Sequence, residues 1–255
     1  MNFSRFMGHS FPVLDTQDFS RVRSFVGAAL LTHLNKRSPD SFDLLSSDLE
    51  NICEIYSREL TDEFHNQSMS KRNRILSDDE VDHFERTSFF CWLNEVFEGI
   101  QISSQTGLSN REVNWRLTRP EQFTDVGPPH QDGWFWEANG WFSPSKKQVP
   151  VKAWIPLLYE PGVSGLAFWP REVGEEQGYE VIQADGIWKP RIIGAENLPD
   201  PRIFDGQART CLLFLGNRLH QGRVGQKFCR VSIEFTFFAS VSSVDRLQNE
   251  KMILA

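Results

Sequence analysis

The chain has few cysteines, and they form no recognisable pattern. Cys53, Cys91, Cys211 and Cys229 are scattered through 255 residues without a CxxC pair. This spacing indicates neither a zinc knuckle nor the dense framework of a disulfide-stapled domain. A chain of this length buries enough surface to fold without such cross-links. We therefore predict a soluble protein of a reducing compartment, the cytoplasm.

Long apolar runs and an excess of positive charge are also lacking. No stretch approaches the roughly 20 residues that cross a bilayer, and the N-terminal segment lacks the apolar core of a signal peptide. Lys and Arg total 27 against 34 for Asp and Glu, which gives a net charge of -7. An acidic chain is not attracted as a whole to phosphate backbones or anionic membranes. We expect neither nucleic acid nor a membrane as a partner, and the sequence predicts no oligomeric state.

The composition of the sequence and the spacing of its apolar residues change near Val113. Before it, residues 15–36, 47–64 and 77–99 carry apolar residues or caps at helical spacing. After it come short runs rich in Val, Ile, Phe and Trp, broken by Pro and Gly, such as "VKAWIPLLY", "GLAFWP", "TCLLFLG" and "CRVSIEFTFFA", which are typical of a sandwich or barrel. We predict that the polar segment 174–205 contains few strands.

The predicted protein is a single domain over residues 1–255, mainly β with flanking helices. Its parts are a helical N-terminal region (1–110), a β core (111–240) and a C-terminal tail (241–255).

Two candidate metal ligands lie in "GPPHQDGWF", residues 127–135. In an extended segment, side chains at i and i+2 point to the same side, so His130 and Asp132 can converge. His220 follows the apolar run "LLFLG", at the rim of the β core. Two histidines and a carboxylate form the facial triad of non-haem Fe(II) oxygenases, which leaves coordination positions open. Zinc hydrolases more often use three strong ligands and a water, so this set favours iron without excluding zinc.

An arginine opens the most hydrophobic strand of the chain. Arg230 begins "RVSIEFTFFA", ten residues after His220. A buried guanidinium is costly without an anion, because it keeps its proton and its fork matches a carboxylate. Ser232 faces the same way and can donate a further hydrogen bond. The sequence therefore predicts an anion pocket beside the metal ligands.

The order His130-x-Asp132, His220, Arg230 resembles the Fe(II)/2-oxoglutarate-dependent dioxygenases, and within them the phytanoyl-CoA dioxygenase-like family. The runs "VKAWIPLLYEPGVSGLAFWP" and "FDGQARTCLLFLGNRLHQGRVGQKFCRVSIEFTFF" are similar to strands and turns of that family. The resemblance covers about residues 113–239. It departs after Trp169-Pro170, where the family usually continues Gly-Ser-His and this chain has Arg171-Glu172-Val173. The implied core is a double-stranded β-helix, a cupin-like jelly roll.

The resemblance also implies cofactors and a reaction. It implies that Fe(II) would be bound by His130, Asp132 and His220. It also implies that the cosubstrate 2-oxoglutarate would pair with Arg230 and Ser232, with Trp154 near it. With O2, such an enzyme hydroxylates or otherwise oxidises a small-molecule metabolite and converts 2-oxoglutarate to succinate and CO2.

Candidate substrate residues flank these ligands. An aromatic run supplies Trp134, Phe135, Trp136 and Trp141, although aromatic residues of a β-rich chain are more often core than pocket. Asn114 and Arg116 alternate on "VNWRLTR" and are pocket residues or part of a solvated edge strand. Arg171, where the family motif breaks, is a substrate contact or a surface charge.

Two other interpretations remain open. One is a cupin-like isomerase or hydrolase that uses the triad with zinc or manganese and no 2-oxoglutarate. The other is a non-catalytic binding protein on the same fold.

Two related enzyme classes are disfavoured by single residues. Halogenases of the superfamily replace the carboxylate that Asp132 supplies here, and the related nucleic-acid demethylases carry a second arginine where this chain has Thr236.

Overall fold

The computed structural model describes residues 1–37, 48–59, 61–103, 111–141, 147–184 and 187–254. The helices are α1 (Thr16–Arg37), α2 (Leu49–Glu59), α3 (Asp62–Ser68), α4 (Asp78–Glu85), α5 (Ser88–Val96), α6 (Asp132–Asn139), α7 (Arg171–Glu175) and α8 (Val241–Asn249). The strands are β1 (Asn2–Phe6), β2 (His9–Val13), β3 (Gln101–Ser103), β4 (Val113–Thr118), β5 (Gln148–Leu158), β6 (Gly165–Phe168), β7 (Tyr179–Ala184), β8 (Ile187–Ile192), β9 (Arg202–Ile203), β10 (Leu212–Leu215), β11 (His220–Arg223) and β12 (Arg230–Ser240).

The largest sheet is antiparallel and is built around β12. Its order is β10-β5-β12, and the other edge of β12 pairs with β4 over residues 230–235 and with β3 over residues 236–238. Side chains alternate between the two faces of β12. One face is apolar and packs on the helices, with Phe235 against Phe84 at 5.2 Å and Phe237 against Phe97 at 4.9 Å between ring centroids.

The opposite face of this sheet, here called the inner face, carries polar side chains. On β12 these are Arg230, Ser232, Glu234 and Thr236. Their partners in register are Thr118, Arg116 and Asn114 on β4, and Pro156, Trp154 and Lys152 on β5.

A second antiparallel sheet, in the order β11-β6-β9, faces the inner face. Two contacts define this arrangement: Arg230 on β12 donates a hydrogen bond to the carbonyl of Gly165 on β6, and Phe214 on β10 packs 4.9 Å from His220 on β11. His130 extends this sheet by a bridge to His220. The candidate ligands and the predicted anion pocket therefore lie between two sheets.

The predicted helical segments contain helices: α1 begins at Thr16, α2 and α3 share the second segment, and α4 and α5 occupy the third. The N-terminal region also contains the hairpin β1-β2, and the C-terminal tail contains α8. Helix and strand occur in comparable amounts, so the protein is mixed rather than mainly β.

The prediction that segment 174–205 contains few strands was wrong, because β7, β8 and β9 lie there. The hairpin β7-β8 exposes both polar and apolar side chains, so it lacks the buried alternation that marks a half-buried strand. No helix of the described segments is both long and apolar enough to cross a bilayer.

Candidate metal centre

The structure brings His130, Asp132 and His220 together. One ligand atom from each lies within 4.8 Å of the other two. The Nε2 atom of His130 is 3.8 Å from Oδ1 of Asp132. His220 is buried, whereas His130 and Asp132 remain partly exposed. The three side chains thus form a cluster of metal-ligand type that opens to solvent on the side of His130 and Asp132.

The backbone fixes both imidazoles. His130 and His220 exchange a pair of backbone hydrogen bonds, each 3.0 Å long. His130 Nδ1 lies 2.9 Å from the carbonyl of Pro128, and His220 Nδ1 lies 2.8 Å from the carbonyl of Arg218. A carbonyl oxygen only accepts, so each Nδ1 carries a hydrogen and each Nε2 keeps its lone pair for a metal.

Asp132 reaches the cluster because an extended residue precedes a helix. Gln131 has φ −110° and ψ 137°, and Asp132 is the first residue of α6. The amide of Gly133 donates to the carbonyl of Gly216 over 2.8 Å, which ties this turn to the end of β10. The i, i+2 spacing therefore works as predicted from an extended segment, although the aromatic run that follows is helical.

The electrostatics favour the protonation states that bind a metal. Burial, followed by the charge of His220, lowers the pKa of His130 to about 4, although Asp132 acts in the opposite direction. Burial opposes the charged form of Asp132, but Lys152 and the two imidazoles outweigh it and lower the pKa of Asp132. Lys152 Nζ is 3.6 Å from Asp132 Oδ2. A neutral imidazole and an ionised carboxylate are the forms that coordinate metal ions.

Arg230 is buried to 1% exposure between the two sheets, where it donates to the carbonyl of Gly165. Its guanidinium lies over Gly222, where an added Cβ would be 3.1 Å from Nη1 and 3.3 Å from Nη2. Gly222 is two residues from His220 on the same strand, a separation of about 7 Å with both Cβ positions on one side. The absence of a side chain at Gly222 therefore makes room for the guanidinium near the metal ligands.

Polar atoms around Arg230 are left without partners. Within the described part of the chain, Arg230 Nε and Thr118 Oγ1 are buried and make no hydrogen bond. The two residues are paired in register on β12 and β4. Burial, followed by the nearby charge of Arg116, lowers the pKa of Arg230 to about 9. Buried donors are normally paired, so this arrangement fits an anion.

The other predicted cosubstrate residues lie on the same face. Ser232 is buried and opposite Arg116 and Pro156. Trp154 is buried on β5, and an added Cβ at Gly165 would lie 3.4 Å from its ring. The φ of Gly165 is 110°, a conformation that favours glycine.

The aromatic residues proposed as substrate contacts lie in different surroundings, because α6 points their side chains in different directions. Trp134 is buried in a small cluster with Trp169, Ile192 and Leu219, and it stacks on Tyr179. Phe135 meets the ring of His130 edge-on at 5.4 Å. Trp136 borders a cavity of about 40 Å³ beside Asp132. Trp141 is partly exposed, and its amide donates to the carbonyl of Trp136.

The polar substrate candidates also occupy different environments. Asn114 and Arg116 are partly buried on the inner face, opposite Glu234 and Ser232. Arg171 is exposed on α7 and pairs with Glu175.

Sequence reasoning overlooked Lys152 and Glu234, which also lie on the inner face. Burial opposes the charge of Glu234, but Lys152, Arg116, Arg74 and Arg230 outweigh it and lower its pKa to about 2. The alternation that singled out Arg230 and Ser232 continues to Glu234, so the signal was present in the sequence. Arg74 gave no such signal, since it precedes the β half.

No protein-family model matches this chain, and neither does any curated protein sequence. Among solved structures, AviO1 from Streptomyces viridochromogenes Tue57 is 13% identical with a TM-score of 0.44, over 92% of this chain and 90% of that chain. A nickel complex of ThoJ, a non-heme monooxygenase, is 11% identical with a TM-score of 0.41, over 92% of this chain and 73% of that chain. At such values the likeness carries no argument, so the function must be inferred from the site.

Proposed function

We propose that this protein is a non-haem Fe(II)- and 2-oxoglutarate-dependent oxygenase that hydroxylates or otherwise oxidises a small-molecule metabolite. The observation that carries the proposal is the combination of a His/Asp/His cluster with a buried, incompletely paired arginine, Arg230 of β12, whose guanidinium lies over Gly222, two residues along β11 from His220. The proposal includes a double-stranded β-helix core similar to that of the phytanoyl-CoA dioxygenase-like family, with the site between its two sheets.

The residues of the site fit both Fe(II) and 2-oxoglutarate. His130, Asp132 and His220 would hold Fe(II), because three protein ligands on one side leave room for a cosubstrate and O2. Arg230 and Thr118 would bind one carboxylate of 2-oxoglutarate, because each offers a buried atom without a partner in the described structure. Ser232 and Trp154 would border the same ligand.

Bound together, Fe(II) and 2-oxoglutarate supply O2 activation and the oxidising power that removes hydrogen from an unactivated carbon. The chain itself orients the ligands. The carbonyls of Pro128 and Arg218 keep both Nε2 atoms directed at the metal position. The rings of Phe135 and Phe214 pack against the two imidazoles and reduce the access of water to them.

Anaerobic titration tests the proposal. Purified apo-protein is expected to bind Fe(II), and added 2-oxoglutarate should then produce a weak visible charge-transfer band. His220→Ala should lose metal and band together, whereas His83→Ala, at an exposed histidine of α4, should retain both. Arg230→Gln should keep the metal and lose the band at moderate 2-oxoglutarate concentrations.

The same titration separates the alternatives. Metal binding without any response to 2-oxoglutarate would favour the cupin-like isomerase or hydrolase and refute the proposal. Formation of the band without succinate production, across a broad panel of candidate substrates in air, would favour a binding protein. Succinate formation that depends on Fe(II), O2 and Arg230 supports the oxygenase.

A further inference from the structure

A polar cavity of about 170 Å³ lies beside β4, away from the cavity beside Asp132. Its lining includes Arg74 and Arg116. Arg116 is on the inner face of β4, opposite Ser232. Arg74 ends a short 3-10 helix, Lys71–Arg74, which the bridge between Ile75 and Asn114 holds against β4. Arg116 therefore belongs both to this cavity and to the inner face that carries Arg230.

Among the described residues of the cavity wall, no carboxylate pairs with Arg74 and Arg116 alone. Asp125 also lines the cavity, but Arg119 binds both its oxygens, at 3.1 Å and 2.8 Å. His65, another lining residue, is neutral near pH 7, because burial lowers its pKa to about 4. The positive charge of the cavity is thus left to be balanced from elsewhere.

The protein positions Arg74, whereas Arg116 retains a donor that is unpaired within the described segments. Arg74 Nε donates to the carbonyl of Met69 over 2.7 Å, which fixes the base of its guanidinium. Arg116 Nε is buried and makes no hydrogen bond to any residue that the structure describes. Because guanidinium groups pair with carboxylates and phosphates through two parallel hydrogen bonds, an oxyanion would satisfy both groups.

The charge of the whole inner face indicates the same ligand. Arg74, Arg116, Lys152 and Arg230 are the cations that act on Glu234. Two carboxylates lie close to these cations. They are Glu234 itself and Asp132, which is beside Lys152. Asp125, which also acts on Arg230, is paired with Arg119, so among these described groups four cations against two carboxylates leave an excess of about two positive charges. A divalent metal and the dianion 2-oxoglutarate cancel each other, so the excess would persist in the loaded enzyme. Buried charge of one sign is costly without a counter-ion.

We propose that the substrate of this enzyme is a small oxyanion, a carboxylate or a phosphate ester, and that Arg74 and Arg116 bind its anionic group in this cavity while the rest of it reaches toward the metal. This assignment rests on the proposed oxygenase function. Arg230 and Thr118 serve the cosubstrate, and Arg74 with Arg116 serves the substrate. Arg74 has no role in the sequence-based prediction.

Binding of simple anions to the protein loaded anaerobically with Fe(II) and 2-oxoglutarate tests this assignment. The probes are inorganic phosphate and butyrate, followed by isothermal titration calorimetry. Wild-type protein should bind at least one probe with millimolar or tighter affinity. Arg74→Gln and Arg116→Gln should each weaken that binding roughly ten- to hundredfold, the range for a hydrogen-bonded charge. Arg191→Gln, at an exposed arginine of β8, is the matched control and should bind like wild type.

The two probes distinguish the sources of the oxyanion. Preference for butyrate indicates a carboxylic acid substrate, and preference for phosphate indicates a phosphate ester; either supports the proposal. If the Gln variants fail to fold, Arg74→Lys and Arg116→Lys keep the charge but lose the two-pronged geometry, and they should show a smaller loss of affinity.

Other outcomes would overturn the assignment. It is wrong if wild type binds neither probe, or if both arginine variants bind the probes as wild type does. It is equally wrong if Arg116→Gln weakens 2-oxoglutarate binding and leaves probe binding intact, because Arg116 would then serve the cosubstrate. Failure of wild type to bind Fe(II) or 2-oxoglutarate at all would instead refute the proposed oxygenase function, so the two failures are distinguishable.

Discussion

Replacing Arg230 with methionine is expected to stabilise the cosubstrate-free protein and to abolish its response to 2-oxoglutarate. The guanidinium is 1% exposed, and its Nε has no partner among the described residues. Burial, followed by the charge of Arg116, lowers the pKa of Arg230 to about 9. Because one pKa unit corresponds to about 1.4 kcal/mol, the surroundings oppose the charged group by on the order of 5 kcal/mol. Methionine has a comparable length and no charge.

One interaction acts against this gain. Arg230 donates a hydrogen bond to the buried carbonyl of Gly165, and leaving that carbonyl unpaired costs about 1–3 kcal/mol. The net gain for Arg230→Met is therefore roughly 2 kcal/mol or more. In a chain of this size, 1 kcal/mol shifts the melting temperature by about 2–4 °C, so the apo variant should melt about 4–8 °C above wild type.

Thermal melts of the Fe(II)-loaded proteins, with and without 2-oxoglutarate under anaerobic conditions, measure both effects. At a ligand concentration 100 times its dissociation constant, wild type should gain about 2.7 kcal/mol, whereas the variant should gain nothing. Arg191→Met, at an exposed site, should match wild type in both conditions. The reasoning is that Arg230 binds an anion and lowers the stability of the anion-free protein. It is refuted if the apo variant melts below wild type, or if 2-oxoglutarate still stabilises the variant.

Three further perturbations examine the surroundings of the site. Gly222→Ala places a Cβ 3.1 Å from Arg230 Nη1 and should weaken 2-oxoglutarate binding about tenfold by calorimetry, with Fe(II) affinity unchanged. Glu160→Ala removes an oxygen that accepts from the amides of Gln226, Lys227 and Phe228 at 2.8, 2.8 and 2.9 Å; it should lower the free energy of unfolding by about 3 kcal/mol in urea. Protonation of His65 should cost wild type roughly 3 kcal/mol of stability between pH 6.5 and 4. His65→Gln should show a smaller pH dependence when urea unfolding is measured across that range.

The sign for His65 follows from its lowered pKa of about 4. The unfolded chain takes up the proton near pH 6.5 and the folded chain near pH 4, so the stability is fully present above pH 6.5 and is lost as the pH falls to 4. His83→Gln, at an exposed histidine, should keep the wild-type dependence. An unchanged dependence in His65→Gln would contradict the assignment.

The other two variants have matched controls. Gly127 has no atom within 4 Å of an added Cβ, so Gly127→Ala should leave 2-oxoglutarate binding intact; equal losses at Gly127 and Gly222 would disprove the steric argument. Glu160→Gln keeps one side-chain oxygen as an acceptor and should destabilise the protein less than Glu160→Ala. Equal destabilisation by both would mean that the three amide bonds do not hold this turn.

Much of the candidate site could be predicted from local spacing. The i, i+2 rule places His130 and Asp132 on one side, and it does the same for Arg230 and Ser232, because each pair needs only one short extended segment. Continued along β12, the rule would also have identified Glu234. The helices of the N-terminal region follow from their periodicity and caps, since these depend on residues only three or four apart.

The aromatic run after Asp132 shows where local spacing fails. The sequence presents this run as a source of candidate substrate residues, and most of it lies on α6. On a helix, consecutive side chains point about 100° apart, so Trp134, Phe135 and Trp136 reach three different surroundings. The sequence shows three adjacent aromatic residues, and only the packing of α6 separates a core indole from a ring beside His130.

The sequence by itself determined the chemical types of the ligands, their order and the strand that carries Arg230. The tertiary structure decided which charges share the inner face. Arg74 and Arg116 are 42 positions apart in the chain, and they line one cavity because the 3-10 helix of Arg74 is held against β4 through Ile75. Alternation and periodicity act over a few residues, whereas the charge balance of a buried site sums over every strand and helix that meets there.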